Sequence, residues 1–349
     1  AVTPAEILMG AFTDADKIYI NGICCGSSYD RYAPRIYPVA PGILRAGENV
    51  VCIHLYVFRG RGGAMPGKQY GIRFKKGKER WLDLSGTWDA QIRKQMEYLP
   101  EKTFFNYMAS AMFNGMISPV SPYKICAVIY YQGESDVGHP NRYALEFRAL
   151  VNDWRKSWKE KQLPIIYVQL AGFSDGNIKK QGTQWAEFRE VQRQAMEIEN
   201  TAMIQAYDVG EYNDLHPMDK KTLGMRAALA VHKLVYGEKE ECTGPQVRKI
   251  RLDRDKRVHA VFDQPLQTGS KKDGCELVSE VELRKANGDY KRAYVTVDGN
   301  EICAWLSDGE EPTGIRYAWK DCPMNICLYG KKGLPVIPFI KEWGRDAIY

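Results

Sequence analysis

The pattern of apolar and polar positions changes twice along the chain. Residues 1 to about 92 consist mostly of short alternating runs. DKIYINGICCGSS (Asp16 to Ser28) alternates around Asn21-Gly22, a dipeptide that favours a two-residue hairpin turn. Pro41-Gly42 and Ala46-Gly47 precede NVVCIHLYVF, a second run of period two, and RWLDLSGTW (Arg80 to Trp88) reads as a closing strand. Period two puts successive side chains on opposite faces, so this region predicts half-buried β-structure.

From about residue 103 the pattern is different. CAVIYY (Cys126 to Tyr131) is a continuous apolar run of strand length, as expected of a strand buried on both faces. LPIIYVQLA (Leu163 to Ala171) and TAMIQAYDV (Thr201 to Val209) repeat it. Between the runs the spacing is helical. Tyr143, Phe147, Leu150, Val151 and Trp154 share a face of 141–158, and Trp185, Phe188, Val191 and Ala195 share a face of 184–199. A third helix is predicted over 219–236, ended by Gly237. Alternating strand and helix predicts a parallel α/β sheet with covered faces. From about Thr243 the pattern returns to β: KIRLDRDKRVHAVFD reads as a hairpin, and later turns fall at Asn287-Gly288 and Gly299.

Composition narrows this picture. At 349 residues two or three domains are expected, and 44% hydrophobic with 26% charged residues describes a globular protein. The net charge of +6 is mixed in sign; the one dense basic run, Arg73 to Lys78, reads as a solvated hairpin or loop, so no nucleic-acid partner is expected. No apolar run approaches the roughly 18 residues of a membrane span, and AVTPAEILMG lacks the basic start and apolar stretch of a signal peptide. The chain is therefore read as cytoplasmic, or as a processed or partial form. Nine cysteines leave an odd one, no CxxC pair occurs, and Cys322 and Cys327 flank a small loop that a disulfide can close. The five histidines are not spaced as zinc ligands, so neither metal nor organic cofactor is expected.

Ligands of open α/β sheets bind outside the carboxyl ends of the strands. Two polar strings fall there. YYQGESD (Tyr130 to Asp136) offers an amide donor in Gln132, close backbone approach at Gly133 and a carboxylate in Glu134, the materials of an oxyanion and substrate loop. NDLHP (Asn213 to Pro217) places His216 before a proline, which restricts its backbone to extended geometry. A histidine base needs a carboxylate to orient it; Asp214 is the first candidate, Asp208 and Asp219 the others. His54, His139, His232 and His259 lie in strands, turns or a helix away from these ends. Trp81 and Trp88 offer either a sugar platform or packing.

The ordered series FNGMISPV, YYQGESD, YALEFRALVNDWR, LPIIYVQLAGF, DVGEYNDLHPMDK and GMRAALA resembles the sialate O-acetylesterase family over roughly Phe104 to Gly237. TGPQVRKI and GIRYAWKDCPMNICLYGKKGLPVIPF resemble that family's C-terminal β region, and the opening segment resembles the jelly-roll module that many members insert. The resemblance implies an α/β, flavodoxin-like SGNH hydrolase sheet, partly present. It implies a β jelly-roll over 1–95, the C-terminal part of the esterase domain over 96–240, and a small β domain over 241–349. It implies a serine esterase acting on acetylated sugars, with His216 as base, Asp214 as orienting acid, Gln132 and Gly133 in the oxyanion loop and Glu134 anchoring it. Asp136 stands where many members have Asn, and the Asp–His spacing is shorter than the usual SGNH pattern.

The family's nucleophile string, GQSN, does not occur in this sequence, nor does SWGGT. Gly26-Ser27-Ser28 and Ser85-Gly86 have no following helix to form a nucleophile elbow. The expected partner is therefore an N-terminal segment or second chain carrying the serine, and the family implies a secreted, periplasmic or lysosomal setting. A non-catalytic carbohydrate-binding protein and an inactive fragment are the competing readings. A sheet short of its first strand exposes an edge and apolar surface. The chain is thus expected to fold well only with its complement; a sharp, reversible unfolding transition of the isolated monomer would contradict this.

Overall fold

In the computed structural model, which describes residues 4–75, 80–97, 103–174, 181–212, 214–269 and 280–343, the chain forms two compact units, Ala1–Phe105 and Asn106–Tyr349. The end of the basic run (76–78) and Asn213 lie outside the described residues. The fold is mixed α/β with several sheets.

The first unit is β-structure. Asn21 and Gly22 take φ of 50° and 82°, the left-handed values a tight hairpin requires, and join Ala15–Ile20 to Ile23–Ser28. Val51–Tyr56 completes this antiparallel sheet. A second antiparallel sheet has the order Ile36–Val39, Ala5–Met9, Tyr70–Phe74, Arg80–Asp83. Alternation sends Ile7, Ile18, Ile20 and Ile72 into one core. Within that interior Arg35 Nε donates to Asp16 Oδ1 at 2.6 Å, both side chains being fully buried. Trp81 and Trp88 are partly exposed, so neither is core.

The second unit is built on three parallel strands, Val128–Tyr130, Ile165–Gln169 and Thr201–Gln205, adjacent in that order. Helices α1 (Pro140–Ser157), α2 (Gln184–Gln194) and α3 (Lys220–Leu234) follow the strands as the spacing predicts. Ile165, Tyr167 and Met203 pack with Tyr143, Phe147, Val151 and Phe188 of α1 and α2. Ile166, Val168, Ala202 and Ile204 pack with Leu223, Ala227 and Ala230 of α3. The Gln192 side chain extends the hydrogen bonding of the middle strand: its Oε1 accepts from Leu170 N at 2.9 Å and its Nε2 donates to Val168 O at 3.1 Å.

Two expectations are corrected. The CAVIYY run is not covered on both faces: Ile129 is 59% exposed, and among the described residues its strand, at the sheet edge, pairs only with Ile165–Gln169. Cys322 is a free thiol. Cys322 lies against the Gly172 backbone, whereas Cys327 packs in the C-terminal β core, so the short loop between them is not closed covalently. Among the described residues no helix is long and apolar enough to cross a membrane.

The C-terminal β region belongs to the same unit as the parallel sheet. Its hairpin Val247–Leu252 to Val258–Phe262 is as read from the sequence. It docks on the end of the third parallel strand: Gln205 Nε2 donates to Pro335 O at 2.9 Å, and the Tyr207 hydroxyl donates to Val336 O. Arg189 of α2, fully buried, donates to the carbonyls of Lys320 and Asp321. Burial pushes its guanidinium down to about 10.

Two features fix the carboxyl end of the sheet. Gly133 has φ of 148°, and a Cβ there would lie 2.7 Å from the Phe188 ring. Arg226 of α3 pairs in fork geometry with Asp208, Nη1 to Oδ1 and Nη2 to Oδ2 both at 2.7 Å, with 6% and 2% of the two side chains exposed. Arg226 Nη1 also donates to Gln205 O at 2.6 Å. Removing one member strands the other charge in the interior. Arg226→Met is expected to lower stability by about 3–5 kcal/mol in urea unfolding, with much of the loss recovered when Asp208→Leu is added. Gly133→Ala is expected to cost about 1–3 kcal/mol in the same measurement, since it meets both the backbone restriction and the Phe188 ring; an unchanged midpoint would contradict the close contact.

Candidate functional site

The two polar strings lie just beyond the carboxyl ends of the first and third parallel strands. In the first, the chain leaves Val128–Tyr130, turns at Gly133 and forms one 3-10 turn, Glu134–Asp136. The Gln132 amide ties the loop to itself: Oε1 accepts from the Tyr130 hydroxyl at 2.9 Å, and Nε2 donates to Asp136 Oδ2 at 2.6 Å. Asp136 is thus the acceptor that holds Gln132. Asp136 N donates to Gly133 O at 2.9 Å and closes the turn. Burial, then the charges of Asp136 and Glu134, pushes the Tyr130 phenol up to about 12. Burial and Glu134 do the same to Tyr131, also to about 12.

The second string is a turn held by side chain to backbone bonds. Asp214 is 8% exposed, and its Oδ1 accepts the His216 backbone N–H at 2.8 Å. Its own N–H donates to Glu211 O at 3.0 Å, and Glu211 Oε1 accepts from Met218 N at 3.2 Å. His216 is exposed and Pro217 after it is buried, so the turn is pinned on both sides of the imidazole. Glycine sets the approach to this turn: a Cβ on Gly210 would lie 2.9 Å from the Gly172 carbonyl oxygen. Ser174 N donates to Tyr212 O at 2.5 Å, so the loops after the second and third strands are directly bonded.

The other two acids weighed for His216 have structural duties. Asp208 faces Arg226, and Asp219 caps α3, accepting from Thr222 N at 3.0 Å and Thr222 Oγ1 at 2.7 Å. The remaining histidines lie elsewhere. His139 is the N-cap residue of α1, and His232 pairs with Glu238 at 2.7 Å. His259 sits between Asp253 and Glu301, and His54 stacks with Tyr19. The Ser85 hydroxyl donates to Asp83 Oδ2 at 2.6 Å as part of a turn. Among the described residues no group of three or more His, Cys, Asp or Glu side chains is arranged to hold a metal.

One contact links Tyr131 of the first string to Lys220, three residues beyond the end of the second, and leaves no mark in the sequence. Lys220 Nζ, at the first position of α3, lies 5.1 Å from the centroid of the Tyr131 ring. Its partners are far apart in sequence, which leaves no spacing signal. Arg226 did leave one: it falls on the face of α3 that carries Leu223, Ala227 and Ala230, and a charge on a buried face requires a partner.

Comparison with known proteins finds similarity over the same segment. Residues 90–233 match the model of the carbohydrate esterase, sialic acid-specific acetylesterase domain. The chain is 28% identical over 264 residues to the sialate O-acetylesterase of Homo sapiens, covering 66% of this chain and 48% of that protein. It is 30% identical over 281 residues to the Mus musculus sialate O-acetylesterase, covering 68% and 48%. The chain thus spans about half the length of the relatives it matches. A crystal structure of a carbohydrate acetylesterase from Xanthomonas citri has the same fold, with a TM-score of 0.61 at 19% identity, covering 97% of this chain and 95% of that one. Both strings lie within residues 90–233, the segment that matches the sialic acid-specific acetylesterase model, and the chain is similar over about two thirds of its length to sialate O-acetylesterases.

Proposed function

We propose that this chain carries the histidine side of a serine-type carbohydrate O-acetylesterase, with O-acetylated sialates as the substrate class. In this reading the parallel sheet is the partial flavodoxin-like core of an SGNH hydrolase, and the first unit is the inserted jelly-roll module. The nucleophilic serine comes from an N-terminal segment outside this sequence or from a companion chain. The observation that carries the reading is the pinned turn: His216 is exposed at the carboxyl end of the sheet while Asp214 holds its backbone N–H at 2.8 Å.

The chemistry follows from these parts. The serine hydroxyl adds to the acetyl carbonyl as His216 takes its proton, and Asp214 stabilises the imidazolium. The QGESD loop, stiffened by Gln132, lies beside the oxyanion of the tetrahedral intermediate. The imidazolium returns its proton to the departing sugar oxygen, leaving an acetyl-serine. Water then attacks that ester with His216 again as base, releasing acetate and restoring the hydroxyl.

Hydrolysis of 4-nitrophenyl acetate and of 9-O-acetylated sialic acid tests the proposal, with the chain alone and with a segment bearing the serine. His216→Ala is expected to lower kcat by on the order of 10^4-fold or more. An unchanged rate in that variant, or full activity of this chain alone by a route independent of His216, would overturn the mechanism. Sugar binding without turnover, even with the serine segment present, would favour a binding protein.

A further inference from the structure

Lys220 occupies the first position of α3, with Lys221 behind it. A cation at a helix N-terminus faces the positive end of the helix dipole, so helix stability does not account for Lys220. Asp219 already caps the helix, through Thr222. The contact that does account for the lysine is with Tyr131, whose ring centroid is 5.1 Å from Nζ, within the range in which an ammonium is drawn to an aromatic face.

Tyr131 is the residue before Gln132, and it packs against the cores on both faces of the sheet. Its hydroxyl is buried and has no hydrogen-bond partner. The ring, and not the hydroxyl, therefore makes the contact that matters. On the other side, three residues separate Lys220 from His216, and each is held: Pro217 is buried, Met218 N is bonded to Glu211, and Asp219 is bonded to Thr222. A pull on Lys220 therefore reaches the histidine through a short stretch of chain with little slack.

We propose that Lys220 is a positioning residue. Its ammonium on the Tyr131 ring holds the first turn of α3, and the exit of the His216 turn, against the strand end that carries the QGESD loop. The two strings then keep one relative placement. The catalytic consequence rests on the esterase reading above, whereas the coupling itself is mechanical.

The test is a histidine-labelled NMR spectrum of the full chain, with the His216 imidazole signal assigned by its loss in His216→Ala. Lys220→Met and Tyr131→Leu are expected to shift or broaden that signal. Lys220→Arg and Tyr131→Phe, which keep the cation and the ring, are expected to leave it in place. With the serine segment present, Lys220→Met is expected to lower kcat for 4-nitrophenyl acetate about three- to tenfold with KM unchanged, and Lys220→Arg to restore it. If Lys220→Met and Tyr131→Leu both leave the His216 signal at its wild-type position, the proposal is overturned whatever the assay shows. If the signal responds as expected and wild-type protein hydrolyses no acetyl ester, the coupling stands and the esterase reading fails.

Discussion

The Asp208–Arg226 pair is the constraint on which the carboxyl end of the sheet depends. Two charges taken out of water are tolerated only where their remaining hydrogen-bonding capacity is met. Here the fork contact uses both carboxylate oxygens, and Arg226 also reaches the Gln205 carbonyl. The pair closes a loop of 18 residues between the third strand and the second turn of α3. Everything from Val209 to Asp219, including the Asp214–His216 turn, hangs between those two fixed points. The turn needs only short local bonds to hold its shape because its ends are already set.

Backbone approach does at the other strands what charge does at the third. Gly133 leaves the first strand with a left-handed φ under the Phe188 ring, and Gly210 touches the Gly172 backbone. Side chains at either point would push the loops apart. The C-terminal β region adds to the same end through Gln205, Tyr207 and the buried Arg189. The candidate site is therefore a surface of loops on a rigid base, the arrangement in which a few exposed groups hold a defined geometry.

Much of this was legible in the sequence, for physical reasons. The helices α1, α2 and α3 declare themselves because each buries one face, and the apolar spacing records it. Asn21-Gly22 was legible because few other residue pairs take two positive φ values in succession. Ile129 was not, because an apolar run shows that a strand can be covered and not whether a neighbour covers it. The cysteine spacing of CPMNIC suggested a closed loop, yet the two thiols face different surroundings. Gln132 was read as a donor for substrate; the structure commits one of its amide hydrogens to Asp136, a partner four residues on. Sequence indicates which groups are present at a strand end, but not how they share hydrogen bonds.

Seven of the described cysteines, Cys24, Cys25, Cys52, Cys126, Cys242, Cys303 and Cys322, are free, and three of these, Cys24, Cys52 and Cys126, are at the surface. No covalent tether among these seven shortens the unfolded chain. An oxidant therefore meets three exposed thiols before it reaches the buried thiols of Cys242 and Cys322.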